Sequence, residues 1–242
     1  MISELFFARE RAGFWHELLP MEEKFVREVN TLRTEQFARR VNSIVPHGDR
    51  DFVNELGFRI FKETASNHGL FAVLSLRDET MRALVEATRV DIEALRKDAN
   101  RQFDPLVITA AHIGEARAIA QRLRKCFALE IIAGSLTFAP TFPGCGLVDE
   151  ACGDIYTDEM LVEVKAGDRT FRATDLRQLL VYCALNQAAS YFTITRLAMI
   201  NPRHGAKAIF ALEECCLQMA GEAAVDVLAA IIHEISSVEA SI

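Results

Sequence analysis

The stretch Gly153-Asp154-Ile155-Tyr156-Thr157-Asp158-Glu159-Met160-Leu161-Val162-Glu163-Val164-Lys165 decides how the chain is read. Two short apolar runs flank a polar turn at Thr157, Asp158 and Glu159, the pattern of a β-hairpin. With the turn centred between Asp158 and Glu159, paired positions sum to a constant, and Asp154 falls opposite Glu163. Directly opposed side chains on antiparallel strands stand about 4.5–5.5 Å apart at Cβ. Lys165, two residues past Glu163, shares its face by the period of a strand. Two carboxylates that close repel each other unless a cation lies between them, and hard oxygen ligands of this kind suit Mg2+ or Mn2+. Val162 and Val164 alternate with the charged positions, which predicts a half-buried strand.

The next segment, Thr174 to Leu185, has a capping residue at its start and apolar positions at helical spacing, which predicts a helix over 174–186. Gln178 and Tyr182 lie four residues apart and so share a face, one turn from each other. An aspartate, then Glu-x-Lys on the following strand, then Gln-x-x-x-Tyr on the following helix resembles the PD-(D/E)XK nuclease superfamily, and the helix motif is similar to that of its RecB-type branch. The resemblance covers roughly residues 106–242, with the specific motifs confined to 153–182.

The resemblance implies an α/β (α+β) fold with a restriction-endonuclease-like core, a mixed sheet flanked by helices. It implies Mg2+- or Mn2+-dependent hydrolysis of phosphodiester bonds in DNA, with RNA less favoured, in repair, recombination or defence against foreign DNA. It assigns Asp154 and Glu163 as metal ligands with the Val164 carbonyl as a third. Lys165 would orient the attacking water or stabilise developing charge, acting electrostatically rather than as a general base. Gln178 and Tyr182 would support the site from the helix. Members of the superfamily also add an acidic residue or a histidine from the helix before the first strand. His112 and Glu115, three residues apart, are the candidates here, against the plainer reading of Glu115 as an exposed first-turn acid favoured by the helix dipole. Taken singly, Asp154 reads as a turn cap, Glu163 and Lys165 as a solvated strand face, and Tyr182 as core. A catalytically weak nuclease-fold subunit that binds nucleic acid or scaffolds a complex is the rival function, and a phosphodiesterase of small nucleotides a third.

The chain's 242 residues suffice for one large domain or two small ones. Residues 1–105 read as mainly helical, a region expected to contact a partner or the substrate, and Asp104-Pro105 marks the boundary to a nuclease-like core over 106–242. A helix is predicted from Asp78 to Arg101, with Met81, Leu84, Val85, Thr88, Ile92 and Leu95 on its packing face. A second runs from Ala110 to Leu129, with Ile113, Ala116, Ile119, Ala120 and Leu123 inward. Strands are expected at 130–140 and 145–164, then at 190–200 and 205–212 around the turn Asn201-Pro202-Arg203-His204-Gly205. Helices over 213–221 and 222–237 close the chain, and the apolar run at 223–232 is expected in the core.

No apolar run is long enough for a membrane span and no basic-then-apolar leader opens the sequence, so a cytoplasmic protein is expected. The six cysteines (Cys126, Cys145, Cys152, Cys183, Cys215 and Cys216) lack a Cys-x-x-Cys spacing and read as reduced core thiols, with an iron–sulfur cluster on Cys145, Cys152 and the Cys215-Cys216 pair as the alternative. A net charge of −7 argues against bulk attraction to nucleic acid. Phosphate contacts must come from local patches: Arg169, Arg172 and Arg177 near the proposed site, or Arg196, Arg203 and Lys207 along the later strands. The alternative makes these solvated charges interleaved with Asp168, Asp175 and Glu213. A protein partner or a second copy is expected to help deliver the substrate. No G-x-x-x-x-G-K-[ST] loop occurs, so any motor would be another chain.

Overall fold

A computed structural model describes residues 1–70, 76–98, 106–130 and 136–237. The helices are α1 (Glu4–Glu10), α2 (Ala12–Leu18), α3 (Glu22–Glu28), α4 (Arg50–His68), α5 (Asp78–Asp98), α6 (Ala110–Lys125), α7 (Ala173–Ala189), α8 (Leu212–Ala220) and α9 (Ala224–Ser237). The strands are β1 (Glu35–Gln36), β2 (Thr137–Phe138), β3 (Thr141–Phe142), β4 (Ala151–Cys152), β5 (Ile155–Thr157), β6 (Met160–Val164), β7 (Arg196–Asn201) and β8 (Ala206–Ala211). A six-stranded mixed sheet runs in the order β1-β8-β7-β6-β5-β2, and β3 with β4 makes a separate two-stranded ribbon. Only β6 and β7 are parallel, and α7 is the helix that links them, so the mixed α/β class read from the sequence holds.

The hairpin forms in the predicted register. Ile155 pairs with Val162, Tyr156 with Leu161 and Thr157 with Met160. Asp158 and Glu159 take φ of 45° and 62°, so both central residues of the turn sit in the left-handed region that suits a two-residue hairpin. Neither is glycine. The strain is held in place by β7: the amides of Thr195 and Arg196 donate to the Glu159 carbonyl, and the Arg196 guanidinium donates to the Asp158 carbonyl at 2.8 Å.

Helices cover both faces of the sheet. One core gathers Leu161, Leu197, Met199 and Phe210 beneath α7, α8, α9 and the N-terminal helices. The other gathers Ile155, Met160, Val162, Ala198 and Ile200 beneath α4 and α6. β6 is therefore buried on both faces, not half-buried as its alternation predicted, because α7 returns over the side that carries Glu163. α7 is apolar nearly all round, with Leu176, Leu179, Leu180, Val181 and Leu185 buried, and each such side chain contributes roughly 1.5–3 kcal/mol by burial. α9 buries Val227, Leu228, Ile231 and Ile235 in the same core, as its apolar run predicted.

Residues before 105 are mainly helical, but β1 leaves them to pair with β8, and α1 packs on α7. The strand-like segment 145–164, expected to fold back at the 157–159 turn, does so as β5 and β6, and its earlier part forms a bridge at Cys145 and Val148 and the short strand β4. Within the expected strand 130–140 only Thr137–Phe138 is extended against a partner, while 131–135 lie outside the described residues. The Asp104-Pro105 boundary and the predicted end of the Asp78 helix also lie outside them. The Ala110 helix ends at Lys125 and continues as a wider turn through Cys126–Glu130. Among the described residues no single helix is long and apolar enough to cross a membrane. The apolar pair α8 and α9 meets at a bend of 73°.

Candidate functional site

Asp154 stands one residue ahead of β5, where the hairpin register, extended by one step, sets it opposite Glu163. Its Oδ2 accepts from the Val164 amide at 2.7 Å, and its Oδ1 makes no hydrogen bond among the described residues. Glu163 is 5 % exposed. Its Oε1 takes the Lys165 ammonium at 2.7 Å, and its Oε2 is buried with no hydrogen-bond partner. Lys165 Nζ also donates to Gln178 Oε1 at 2.8 Å and lies 4.0 Å from Asp175 Oδ1. Gln178 Nε2 donates to the Tyr182 hydroxyl at 2.9 Å, as two residues one turn apart on α7 can. The five side chains singled out from the sequence thus lie together at the end of β6 and the first turns of α7.

The local chain explains this convergence. Lys165 N donates to Ile200 O in the parallel ladder, so the amide and carbonyl of Val164 face the other way, toward the β5 side where Asp154 waits. α7 begins at Ala173, one residue earlier than predicted, and Asp175 in its first turn accepts from the Arg172 amide at 2.9 Å. That start sets Gln178 over Lys165. The Tyr182 ring stacks on Phe142 with centroids 5.4 Å apart, so the core reading of its ring and the site reading of its hydroxyl are both realised.

Burial dominates the electrostatics. It pushes the Glu163 carboxyl well above its ordinary range; the Asp154 charge raises it further, and Lys165 opposes the rise. Burial likewise lifts Asp154, against the Val164 amide and Lys165, which favour its charge, while Glu55 raises it further. The Tyr182 hydroxyl is pushed up by burial and by Glu163, Glu4 and Asp154, so it stays a neutral donor.

Two acids at the site were not singled out from the sequence. Glu4, on α1, accepts from Gln178 Nε2 at 3.1 Å and from the Tyr182 hydroxyl at 3.2 Å. Glu55, on α4, acts on Asp154 through its charge while holding Arg59 at 2.7 Å. Nothing in local spacing marks either; both arrive through tertiary packing. The candidates from α6 are engaged elsewhere. His112 sits between Thr109 Oγ1 at 2.8 Å and Asp49 Oδ2 at 3.3 Å, capping its own helix. Glu115 is buried, not an exposed first-turn acid, and takes Arg203 Nη1 at 2.5 Å and the Ser43 hydroxyl at 2.9 Å.

The basic residues divide in the same way. Arg203 is buried against Glu115 and Asn54, Lys207 pairs with Glu35, and Arg196 holds the hairpin turn, so none of the three is a free phosphate ligand. Arg169, Arg172 and Arg177 do lie beside the site, around the start of α7. Cys126, Cys183, Cys215 and Cys216 are buried, as expected of core thiols, whereas Cys145 is half-buried and Cys152 exposed.

Among the described residues no group of three or more His, Cys, Asp or Glu side chains is arranged to hold a metal ion. Asp154 and Glu163 offer two carboxylates, each with an oxygen that accepts no hydrogen bond, and Val164 can add its carbonyl. That set is small but fits Mg2+, which keeps several waters and is held by one or two carboxylates together with substrate phosphate. An unpaired, buried carboxylate oxygen beside a second raised carboxyl is also the environment a divalent cation relieves. Comparison with protein-family models, with curated proteins and with solved structures returns no match, so the site stands on its own geometry.

Proposed function

We propose that the chain is a divalent-metal-dependent nuclease of the PD-(D/E)XK kind that hydrolyses phosphodiester bonds in DNA. In this proposal the sheet and α7 form a restriction-endonuclease-like core, and Asp154, Glu163 and the Val164 carbonyl hold Mg2+ or Mn2+. Held there, such an ion would supply a water of lowered pKa and positive charge for the phosphoryl oxygens. Lys165 is fixed from two sides, by Glu163 and by Gln178, which keeps its ammonium aimed at the same place throughout a reaction. Such preorganised charge stabilises a phosphoryl group as negative charge builds on it. Gln178 is in turn oriented by Tyr182 and Glu4, so its oxygen stays turned to Lys165. The single observation that carries the proposal is the buried, unpartnered Oε2 of Glu163 next to Asp154. Glu115 Oε2 is likewise unpartnered, but its carboxylate lies against the Arg203 guanidinium, whereas Glu163 Oε2 stands beside a second carboxyl that raises it further. With a net charge of −7, a partner or second copy would help bring the substrate, in repair, recombination or defence against foreign DNA.

The test is degradation of linear DNA by the purified chain in Mg2+ or Mn2+, compared with EDTA and with Asp154→Ala and Lys165→Ala. Loss of roughly a hundredfold or more in both variants is expected. Variants as active as the parent would remove the assignment. A parent that binds DNA yet leaves it uncut in either metal would instead favour a binding or scaffolding subunit.

A further inference from the structure

The loop that leaves Lys165 and the first turn of α7 form one wall of a groove of about 640 Å³; α1 and α3 form the other. Four arginines line it, Arg9, Arg169, Arg172 and Arg177. Arg169 is clamped by Asp175 through bonds of 2.6 and 2.7 Å, and Arg177 by Glu22, 2.8 Å from its Nε. Those two carboxylates are used up in the clamps. Arg9 and Arg172 are exposed and have no ion-pair partner among the described residues, and Glu23 is the carboxylate in the lining.

The groove is fixed in shape. Asn30 ties its walls together, donating to the Val26 carbonyl at 3.0 Å and the Phe171 carbonyl at 2.9 Å while accepting from the Phe171 amide at 3.1 Å. It also adjoins the candidate site: Asp175, which grips Arg169, stands 4.0 Å from Lys165 Nζ. On a chain of net charge −7, a rigid basic groove beside a buried lysine concentrates the attraction for anions at one place. Planar guanidinium forks match the oxygens of a phosphate group in pairs.

We propose that this groove binds a phosphate of the strand being cut, next along from the phosphate at Lys165. This rests on the nuclease proposal and specifies how its substrate is held. The test uses the full chain with Glu163→Gln to prevent cutting, and binding of a 3′-labelled single-stranded oligonucleotide followed by fluorescence anisotropy over a salt series. Each phosphate contact to a single strand contributes about 0.7 to the slope of log affinity against log salt. The added pair Arg9→Gln and Arg172→Gln, both exposed positions, is expected to remove that one contact, flattening the slope by about 0.7 and weakening binding roughly fivefold at about 0.1 M salt, with Arg172→Lys retaining the slope. An unchanged slope, or a parent that does not bind the oligonucleotide, overturns the groove. A preference for a 5′-phosphate over a 5′-hydroxyl end that disappears in the double variant identifies a terminal phosphate; equal binding of the two identifies an internal one. Metal-dependent cutting by the native chain is scored separately, so an unchanged slope with normal cutting removes the groove and leaves the nuclease standing.

Discussion

Glu163→Gln is expected to make the protein more stable and inactive at once. In the unfolded chain this carboxyl ionises near its ordinary value of 4.5, whereas in the fold burial and Asp154 raise it. Between those two values the folded protein binds more protons than the unfolded chain, so stability falls as pH rises through the window and levels off above it. Asp154 keeps some contact with solvent, so Glu163 carries most of the effect. A carboxyl raised from 4.5 to about 8 is destabilising in its ionised form by roughly 5 kcal/mol, at about 1.4 kcal/mol per pH unit, which is the loss expected at Glu163 in the absence of a cation. For a chain of this size that is about 10–20 °C in Tm. Glutamine keeps the shape and removes the charge. Thermal melts followed by circular dichroism in EDTA should therefore show parent and variant close together at about pH 5, with the variant ahead by that amount at about pH 9. Adding Mg2+ should raise the parent's Tm more at the higher pH and leave the variant's nearly unmoved. A Tm difference independent of pH, or a variant less stable than the parent at high pH, would refute the electrostatic account of the site.

Gln178→Leu removes the hydrogen bond that fixes Lys165 from the α7 side and leaves it to Glu163 and the more distant Asp175, and steady-state kinetics on DNA should show kcat lower by about tenfold or more with little change in KM. Arg203→Met strands the Glu115 carboxylate in the interior, and urea denaturation should register a loss of about 3–5 kcal/mol, most of it recovered when Glu115→Leu is added. Gly205 takes φ of +66°, and a Cβ there would collide with the Ala38 carbonyl, so Gly205→Ala should lower Tm measurably and loosen β1 from β8 in amide exchange. Tyr182→Phe keeps the ring against Phe142 but strips a donor from Glu4 and an acceptor from Gln178, for a loss of roughly 1 kcal/mol by denaturation.

Much of the site was legible because its geometry is local. A two-residue turn fixes hairpin register, so the pairing of Ile155 with Val162, and with it the meeting of Asp154 and Glu163, followed from residue numbers alone. Gln178 and Tyr182 share a face because any helix puts residues four apart together, and the apolar runs of α7 and α9 announced their burial. The two-residue strands β1 and β3 carried no usable signal, since a period needs several repeats to be seen.

What the chain determined by itself is the hairpin, the motif helix and the class of fold, all set by backbone periodicity within a few residues. Only the tertiary structure decided which distant groups face that hairpin. It brought Glu4 from α1 and Glu55 from α4 to the site, and it drew His112 and Glu115 into a helix cap and a buried ion pair. It also covered the Glu163 face of β6 with α7, turning an apparently solvated strand into a desolvated one. Local spacing carries no information about which helix will pack over a sheet, because that choice is made by burial of apolar surface across the whole molecule. The raised carboxyls at the candidate metal site are a product of that choice.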